Sequence, residues 1–151
     1  RIDYAISPLL HDGYGVQIET NGVCSLRDAL AFTSVNSPGN ANRFSIVCSP
    51  KTRVVHKELL PWITAYKYVI NGIGGATDGF DGLPTTVLGD PCKVFRPNNI
   101  DEYVRKGMLF IQPEDTQNEA LNKINLDKCI QLSARFGYRL GGQLHKTWGL
   151  A

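Results

Sequence analysis

The sequence lacks the features that mark several large classes of protein. No apolar run approaches the roughly 20 residues that a helix needs to cross a bilayer, so we expect no membrane-spanning protein. A strong excess of charge is also missing, and the net charge of +2 predicts neither a nucleic-acid-binding surface nor an acidic tail. No basic and then apolar leader is visible at the start of the chain. The 151 residues, 42% of them hydrophobic and 20% charged, are typical of one globular domain.

Paired cysteines are missing as well. The four cysteines lie in four different segments, and no two have the spacing of a zinc knuckle or of a redox pair. We therefore expect free thiols in a reducing cytoplasm. The single methionine is Met108, and the chain opens at Arg1 inside a helical pattern. We expect from this that the N-terminus of the natural gene product is missing.

Short β-rich runs alternate with amphipathic stretches along the chain. The runs, each stopped by polar turn residues, predict strands at 16–20, 44–48, 66–70, 108–111 and from 138 toward 143. Helices are predicted at 2–10, 58–62, 98–106 and 118–136. In the last of these, Leu121, Ile124, Cys129, Leu132 and Phe136 fall near the helical spacing, and Gly137 is a natural stop.

This alternation predicts a single α/β domain over 1–151, with mostly parallel strands and right-handed crossovers. Periodicity does not distinguish a barrel from a doubly wound sheet. The segment 72–97, rich in Gly, Asp, Thr and Pro, is predicted to be a surface insertion or lid.

Polar residues follow each predicted strand, where ligands of α/β proteins bind. They offer hydroxyl, amide, carboxylate, imidazole and ammonium groups, and their convergence predicts a pocket for a polar ligand. For any one of them, a plain polar turn is the commoner explanation. The five sets are Glu19-Thr20-Asn21-Gly22, Ser49-Pro50-Lys51, Asn71-Gly72, Gln112-Pro113-Glu114-Asp115 and Gln143-Leu144-His145-Lys146.

Some of these residues suit particular chemistry. Gly22 can take a positive φ and admit a ligand close to the backbone, and Thr20 offers a hydroxyl that donates and accepts. Lys51 could bind a carboxylate or a ribose hydroxyl, and His145 could hydrogen-bond a heterocycle or transfer a proton. The alternatives are an Asn-Gly turn, a solvated lysine and a structural histidine. The glycines that begin at Gly72 lack the Lys-Ser/Thr pair of a phosphate loop.

Taken in order, these motifs resemble those of the 7-carboxy-7-deazaguanine synthases, a family of radical S-adenosylmethionine enzymes. The resemblance covers nearly the whole chain. The motifs that carry it lie at 18–22, 47–51, 67–69, 111–115 and 137–150, with 81–84 and 88–91 similar to an insertion of the longer bacterial type.

The resemblance implies a fold and a reaction. The fold would be the C-terminal part of an abbreviated (β/α)6 partial barrel of the radical S-adenosylmethionine type. The reaction would convert 6-carboxy-5,6,7,8-tetrahydropterin into 7-carboxy-7-deazaguanine with loss of ammonia, on the way to queuosine in tRNA. The implied cofactors are S-adenosylmethionine, a 4Fe-4S cluster and Mg²⁺. The implied partner is the small-molecule pterin, in a cytoplasmic homodimer without direct contact to nucleic acid or membrane.

The resemblance also assigns roles to residues. Thr20, His145 and Ala151 would contact the substrate. S-adenosylmethionine would be bordered by Gly22, Ser49, Pro50, Lys51, Gln112, Pro113, Glu114 and Asp115. The family's cluster-binding cysteines have no counterpart here, so no metal ligand or radical-generating residue is assigned. We therefore expect an inactive fragment of an active enzyme.

Two other functions remain open from the sequence. A degenerate remnant of such a barrel would expose strand edges and apolar helix faces, and would act as a binding or self-associating module. An unrelated doubly wound nucleotide-binding protein would be expected to carry a phosphate loop, which the sequence lacks.

Overall fold

The chain folds around a parallel β-sheet with helices packed on one of its faces. The computed structural model describes residues 3–25, 43–74, 77–87, 90–91 and 94–142. Its helices are α1 (Asp3–His11), α2 (Ile100–Arg105) and α3 (Glu119–Phe136), with a short 3₁₀ helix at Leu60–Trp62. The strands are β1 (Val16–Thr20), β2 (Phe44–Cys48), β3 (Ile63–Ile70), β4 (Thr86–Val87), β5 (Asp90–Pro91), β6 (Leu109–Pro113) and β7 (Arg139–Leu140).

The main sheet has five strands in the order β1-β2-β3-β6-β7, and every neighbouring pair is parallel. This confirms the predicted α/β class and parallel pairing. The order of the described strands follows the chain without reversal, whereas a doubly wound sheet reverses at a switch point. The sheet is not closed, since β1 and β7 lie at its two edges. β4 and β5 form a separate antiparallel pair.

A bulge in β3 explains why this strand begins three residues before its predicted start. Ile46 pairs with Ile63 and Val47 with Ala65, so Thr64 is an extra residue on β3. The Thr64 hydroxyl donates a hydrogen bond to the Ile46 carbonyl at 2.9 Å. The extra residue breaks the alternation of side chains and hides the beginning of the strand in the sequence. The bounds of β1 and β2, by contrast, are those predicted.

The two faces of the main sheet differ in burial. One face packs against the helices, with α1 on β1, α2 on β6 and α3 on β3, β6 and β7. The side chains of this core face are Ile18, Phe44, Ile46, Cys48, Ile63, Tyr66, Tyr68, Ile70, Leu109 and Ile111, all buried. On the opposite face, which we term the open face, side chains are half-buried or exposed apart from Ala65. They are Gln17, Glu19, Ser45, Val47, Lys67, Val69, Phe110 and Gln112.

Helix α3 begins one residue after its predicted start and ends at the predicted residue. The Asn118 side chain caps its start by accepting a hydrogen bond from the Leu121 N–H at 3.2 Å, and Gly137 ends it with φ of 74°. The buried stripe differs from the predicted one. Ile124 is 46% exposed, and its neighbour Asn125 is fully buried between the helix and the sheet.

The segment 72–97 is fastened to the rest of the domain in its described part. Leu83 and Val94 are buried in the core. The Arg96 guanidinium pairs with the Asp81 carboxylate at 2.7 Å and lies over the Tyr68 ring, 5.3 Å from its centroid. Whether this segment also acts as a lid stays a prediction.

Two further properties concern the described residues as a group. None of their helices is long and apolar enough to cross a membrane. The three described cysteines, Cys24, Cys48 and Cys129, are free thiols, whereas Cys92 lies outside the described residues.

Candidate functional site

The exit of β1 is a compact turn built by Thr20 and Gly22. The Gly22 N–H donates to the Thr20 hydroxyl oxygen at 3.1 Å, so this oxygen already accepts one bond while its proton can still be donated. Gly22 has φ of 82°, and a Cβ there would lie 2.9 Å from the Cys48 sulfur. A side chain is excluded at this position because the turn packs directly against β2.

The exit of β2 lies beside that of β1. The Ser49 N–H donates to the Thr20 carbonyl at 2.7 Å, which extends the pairing of the two strands by one residue. Pro50 is buried and Lys51 is half-buried. The Ser49 hydroxyl oxygen is buried and finds no hydrogen-bond partner within the described part of the chain. A buried hydroxyl without a partner is costly, and a ligand oxygen or nitrogen would satisfy it.

Lys51 lies within reach of charges from two other strands. Partial burial lowers the pKa of its ammonium, the nearby positive charge of Lys67 lowers it further, and the negative charge of Glu114 raises it. Lys51, at the exit of β2, therefore interacts electrostatically with Lys67 in β3 and with Glu114 at the exit of β6. The Lys67 ammonium in turn donates to the Glu19 carboxylate at 2.6 Å.

The exits of β3 and β6 are joined by a hydrogen-bond network. The Glu114 N–H donates to the Ile70 carbonyl at 2.9 Å, and the Asn71 amide donates to the Glu114 carboxylate at 2.6 Å. From α3, the Asn125 amide donates to the Glu114 carbonyl at 2.8 Å and accepts from the Gly72 N–H at 2.7 Å. The Glu114 carboxylate is thereby held at the same edge of the sheet as Lys51.

The other predicted residues of β6 differ in their surroundings. Gln112 lies on the open face, and Pro113 ends the strand; both are half-buried. One carboxylate oxygen of Asp115 accepts from the Gln117 N–H at 2.9 Å and from the Asn122 amide at 2.8 Å. Because these bonds hold the loop before α3, Asp115 has a structural task besides any contact with a ligand.

The structure thus brings nine of the predicted site residues to one edge of the sheet. They are Thr20, Gly22, Ser49, Pro50, Lys51, Gln112, Pro113, Glu114 and Asp115. The predicted substrate residues His145 and Ala151, with the rest of 143–151, lie outside the described residues. The roles of all eleven stay predictions.

Two residues of this edge received no role from the sequence. Asn125 occupies an otherwise apolar helix stripe, and that exception in the pattern was the one signal available. Lys67 was noted only as part of a motif, and its pairing with Glu19 becomes visible once β1, β2 and β3 are in register.

The described cysteines do not form a metal centre. Burial raises the thiol pKa of Cys48 and of Cys129 to about 12 each, so both are protonated at neutral pH and are poor ligands. No group of three or more His, Cys, Asp or Glu side chains that could hold a metal occurs in the described ranges. What this edge does offer is hydroxyl, ammonium, amide and carboxylate groups for a polar organic ligand.

Comparison with curated proteins connects this arrangement to known enzymes. The chain is 38% identical to the 7-carboxy-7-deazaguanine synthase of Rhodospirillum rubrum over 155 aligned positions, which cover 97% of this chain and 58% of that enzyme. The chain is similar to the 7-carboxy-7-deazaguanine synthases. The Aquifex aeolicus synthase is 24% identical over 153 positions, 99% of this chain and 59% of the enzyme.

The similarity confirms the resemblance predicted from the strand-end motifs. The chain spans somewhat less than three-fifths of the length of each of these synthases. No protein-family model and no solved structure matches it.

Proposed function

We propose that this chain provides part of the ligand-binding edge of a 7-carboxy-7-deazaguanine synthase. The observation that carries the proposal is the 38% identity to the Rhodospirillum rubrum synthase over 97% of the chain. The reaction would be the conversion of 6-carboxy-5,6,7,8-tetrahydropterin into 7-carboxy-7-deazaguanine with loss of ammonia, as a step toward queuosine. The whole enzyme would be a radical S-adenosylmethionine lyase acting as a homodimer.

The strand order supports the accompanying proposal of a partial barrel. Successive parallel strands joined by right-handed crossovers carry their helices to the same face of the sheet. The helices that the structure describes lie on the core face. In a partial barrel the open face would therefore line the interior. In a (β/α)6 arrangement this interior and the carboxyl edge would enclose the ligands.

The residues at this edge fit S-adenosylmethionine. The unpartnered Ser49 hydroxyl, the half-buried Lys51 ammonium and the Glu114 carboxylate match the carboxylate, amine and ribose hydroxyls of that cofactor. When bound, S-adenosylmethionine supplies the radical chemistry of the family. These side chains would hold and orient it. The hydroxyl of Thr20, at the end of the neighbouring strand β1, would donate a hydrogen bond to the pterin.

The described residues do not fit an iron–sulfur cluster. Cluster ligation takes several converging thiolates, and the buried thiols of Cys48 and Cys129 are protonated and do not converge. The proposal for this chain is confined to binding and orienting organic ligands.

A chimeric enzyme tests the proposal. The segment of the Rhodospirillum rubrum synthase that aligns with this chain is replaced by residues 1–151, and 7-carboxy-7-deazaguanine is measured by chromatography after addition of the pterin, S-adenosylmethionine and reductant. We expect product from the chimera. The Ser49→Ala and Lys51→Met versions should form much less. The matched surface change Lys106→Met should leave the rate intact, because Lys106 lies in an exposed ion pair just before β6 begins, at the edge of the sheet opposite the strand exits.

A chimera that folds and assembles its cluster but forms no product would contradict the proposal. If the isolated chain then formed a stable dimer on gel filtration without affinity for S-adenosylmethionine, the non-catalytic binding module predicted as the alternative would be the better description.

A further inference from the structure

Lys67 is a half-buried cation on the open face of the sheet. Its side chain is only 20% exposed, and its ammonium donates to the Glu19 carboxylate at 2.6 Å. Glu19 is 56% exposed. An ammonium has three protons to donate, and among the described residues the Glu19 oxygen is the acceptor that it reaches.

The pair bridges an intervening strand. Glu19 lies on β1 and Lys67 on β3, and β2 runs between them. In the register of the sheet, Glu19, Val47 and Ala65 form one row across the open face. Lys67 follows Ala65 by two residues and so points to the same face, one step nearer the carboxyl edge. Lys67 is therefore an open-face residue near the strand exits.

A second ammonium belongs to the exit of the neighbouring strand. Cys48 at the end of β2 pairs with Tyr66, so the backbone that leads from Cys48 to Lys51 runs beside Lys67. The positive charge of Lys67 contributes to the lowered pKa of Lys51. The Glu114 carboxylate partly offsets this repulsion, and the Asn71 amide holds that carboxylate at 2.6 Å. Two ammonium groups brought together against their mutual repulsion, at the place where ligands of parallel sheets bind, favour an anion between them.

We propose that Lys67 and Lys51 together bind the carboxylate group of an organic ligand that lies on the open face at the carboxyl edge, with Glu19 holding the Lys67 ammonium in place until the ligand arrives. A carboxylate has two oxygens and accepts one charge-assisted hydrogen bond from each ammonium. Binding would relieve the repulsion between the two cations. Lys67 thereby becomes a binding residue to which neither the motifs nor the similarity assigned a role.

This inference rests on the proposed function. It deepens that function by naming a carboxylate as the chemical group that Lys67 binds. Two proposed ligands carry a carboxylate, namely the methionyl part of S-adenosylmethionine and the 6-carboxyl group of the pterin. The chemistry is the same for both, so matched pairs of ligands are needed to tell them apart.

Calorimetric titration of the full chain at fixed ionic strength tests the inference. The probes are S-adenosylmethionine against its decarboxylated form, and 6-carboxy-5,6,7,8-tetrahydropterin against 5,6,7,8-tetrahydropterin. We expect the parent chain to prefer one carboxylate-bearing compound over its partner by about tenfold or more, as charge-assisted hydrogen bonds typically give. The Lys67→Met change should abolish most of that preference and leave the affinity for the compound without a carboxylate unchanged.

Glu19→Gln separates a binding role from a structural one. This change also breaks the ion pair, but it frees the Lys67 ammonium and removes a negative charge that repels the ligand. Affinity for the carboxylate compound should therefore rise several-fold in Glu19→Gln while it falls in Lys67→Met. A pair that serves only to hold β1 to β3 would shift both variants in the same direction.

Two controls complete the design. Lys106→Met removes a lysine from the ion pair with Glu102 on α2, which is chemically matched but remote from the strand exits, and should leave every affinity unchanged. Lys67→Arg keeps the positive charge and should retain part of the preference. Thermal melting identifies any variant that fails to fold. If Lys67→Met fails to fold, the affinities of Lys67→Arg and Glu19→Gln test the inference in its place.

The outcomes are distinct. If the parent chain binds the compounds with and without the carboxylate equally well, this inference is wrong and the proposed function stands. If Lys67→Met and Glu19→Gln shift affinity in the same direction, or neither shifts it, the inference is wrong as well. If the parent chain binds no carboxylate compound, both the inference and the proposed cofactor-binding role fail, and the chimera then reports independently on the reaction.

Discussion

The side chain of Asn125 accepts a hydrogen bond from the Gly72 backbone N–H at 2.7 Å and so joins helix α3 to the end of β3. The same side chain donates to the Glu114 carbonyl at 2.8 Å. One fully buried amide therefore satisfies a backbone donor and a backbone acceptor that strand pairing leaves unmatched at two neighbouring strand exits. It fixes the positions of both exits relative to each other.

Removal of this amide is expected to destabilise the fold. In Asn125→Leu, the Gly72 N–H and the Glu114 carbonyl lose their partners in a buried place. The free energy of unfolding should fall by about 2–4 kcal/mol, since each buried unpaired group costs about 1–3 kcal/mol. Urea unfolding measures the change. Asn98→Leu, at an exposed position before α2, is the matched control and should stay within about 0.5 kcal/mol of the parent.

The contact between Gly22 and Cys48 predicts a second, paired effect. Gly22→Ala places a Cβ 2.9 Å from the Cys48 sulfur at a residue with φ of 82°, so both overlap and backbone strain follow. We expect a loss of about 2–3 kcal/mol in the free energy of unfolding. In a Cys48→Ala background the loss should be smaller by at least about 0.5 kcal/mol. Equal losses in both backgrounds would show that overlap with Cys48 contributes nothing.

Arg96 is expected to protect the segment 72–97 from proteolysis by holding it against the rest of the domain. Besides the Asp81 carboxylate, its guanidinium donates to the carbonyls of Val94 and Pro84 at 3.0 Å each. Arg96→Met removes these bonds, so local opening should become easier, and chymotrypsin should cleave after the 92%-exposed Phe80 about tenfold faster. Lys106→Met removes an exposed ion pair and should leave the rate unchanged. An unchanged rate in Arg96→Met would show that other contacts hold the segment.

Stability is expected to decline in alkali. Burial raises the thiol pKa of Cys48 and of Cys129 from 9.0 to about 12, so the folded protein keeps two protons that the unfolded chain releases above pH 9. The stabilisation that comes with these shifts is complete below pH 9 and is lost as the pH rises toward 12. Between pH 8 and 10.5 we expect urea unfolding to show a loss on the order of 1–2 kcal/mol for each thiol.

The Cys129→Ala variant checks the origin of this alkaline loss. Its free energy of unfolding should depend less steeply on pH than that of the parent, because one of the two buried thiols is gone. The same steepness in both proteins would assign the loss to other groups, of which Tyr138 is one, since burial raises its pKa to about 12 as well.

Local pattern was sufficient for much of the fold. The bounds of β1 and β2 follow from a short apolar run and the turn residues after it, and the structure has the same bounds. The end of α3 follows from Gly137, whose preference for a left-handed backbone is local. The meeting of the strand exits followed from a general rule, since parallel strands all end at one edge.

Two features that the sequence did not predict, the burial of Asn125 and the pairing of Lys67 with Glu19, depend on residues far away along the chain. Asn125 is a polar residue and Ile124 an apolar one, so periodicity places Ile124 in the buried stripe. The burial of Asn125 is stabilised by the Gly72 N–H and the Glu114 carbonyl, which are 53 and 11 residues away along the chain. Lys67 and Glu19 are 48 residues apart, and they meet because the bulge at Thr64 sets the register of β3. A pattern within one segment carries no information on either event.

The order of the strands has a consequence for how the chain can be made and shortened. Each strand of the main sheet pairs with the one that precedes it among those strands, so the sheet can lengthen at a single edge as the nascent chain leaves the ribosome. None of the strands that the structure describes has to be inserted between two that are already paired. Truncation from the carboxyl end would remove β7 and then β6 from that edge and would leave the pairing of β1, β2 and β3 intact.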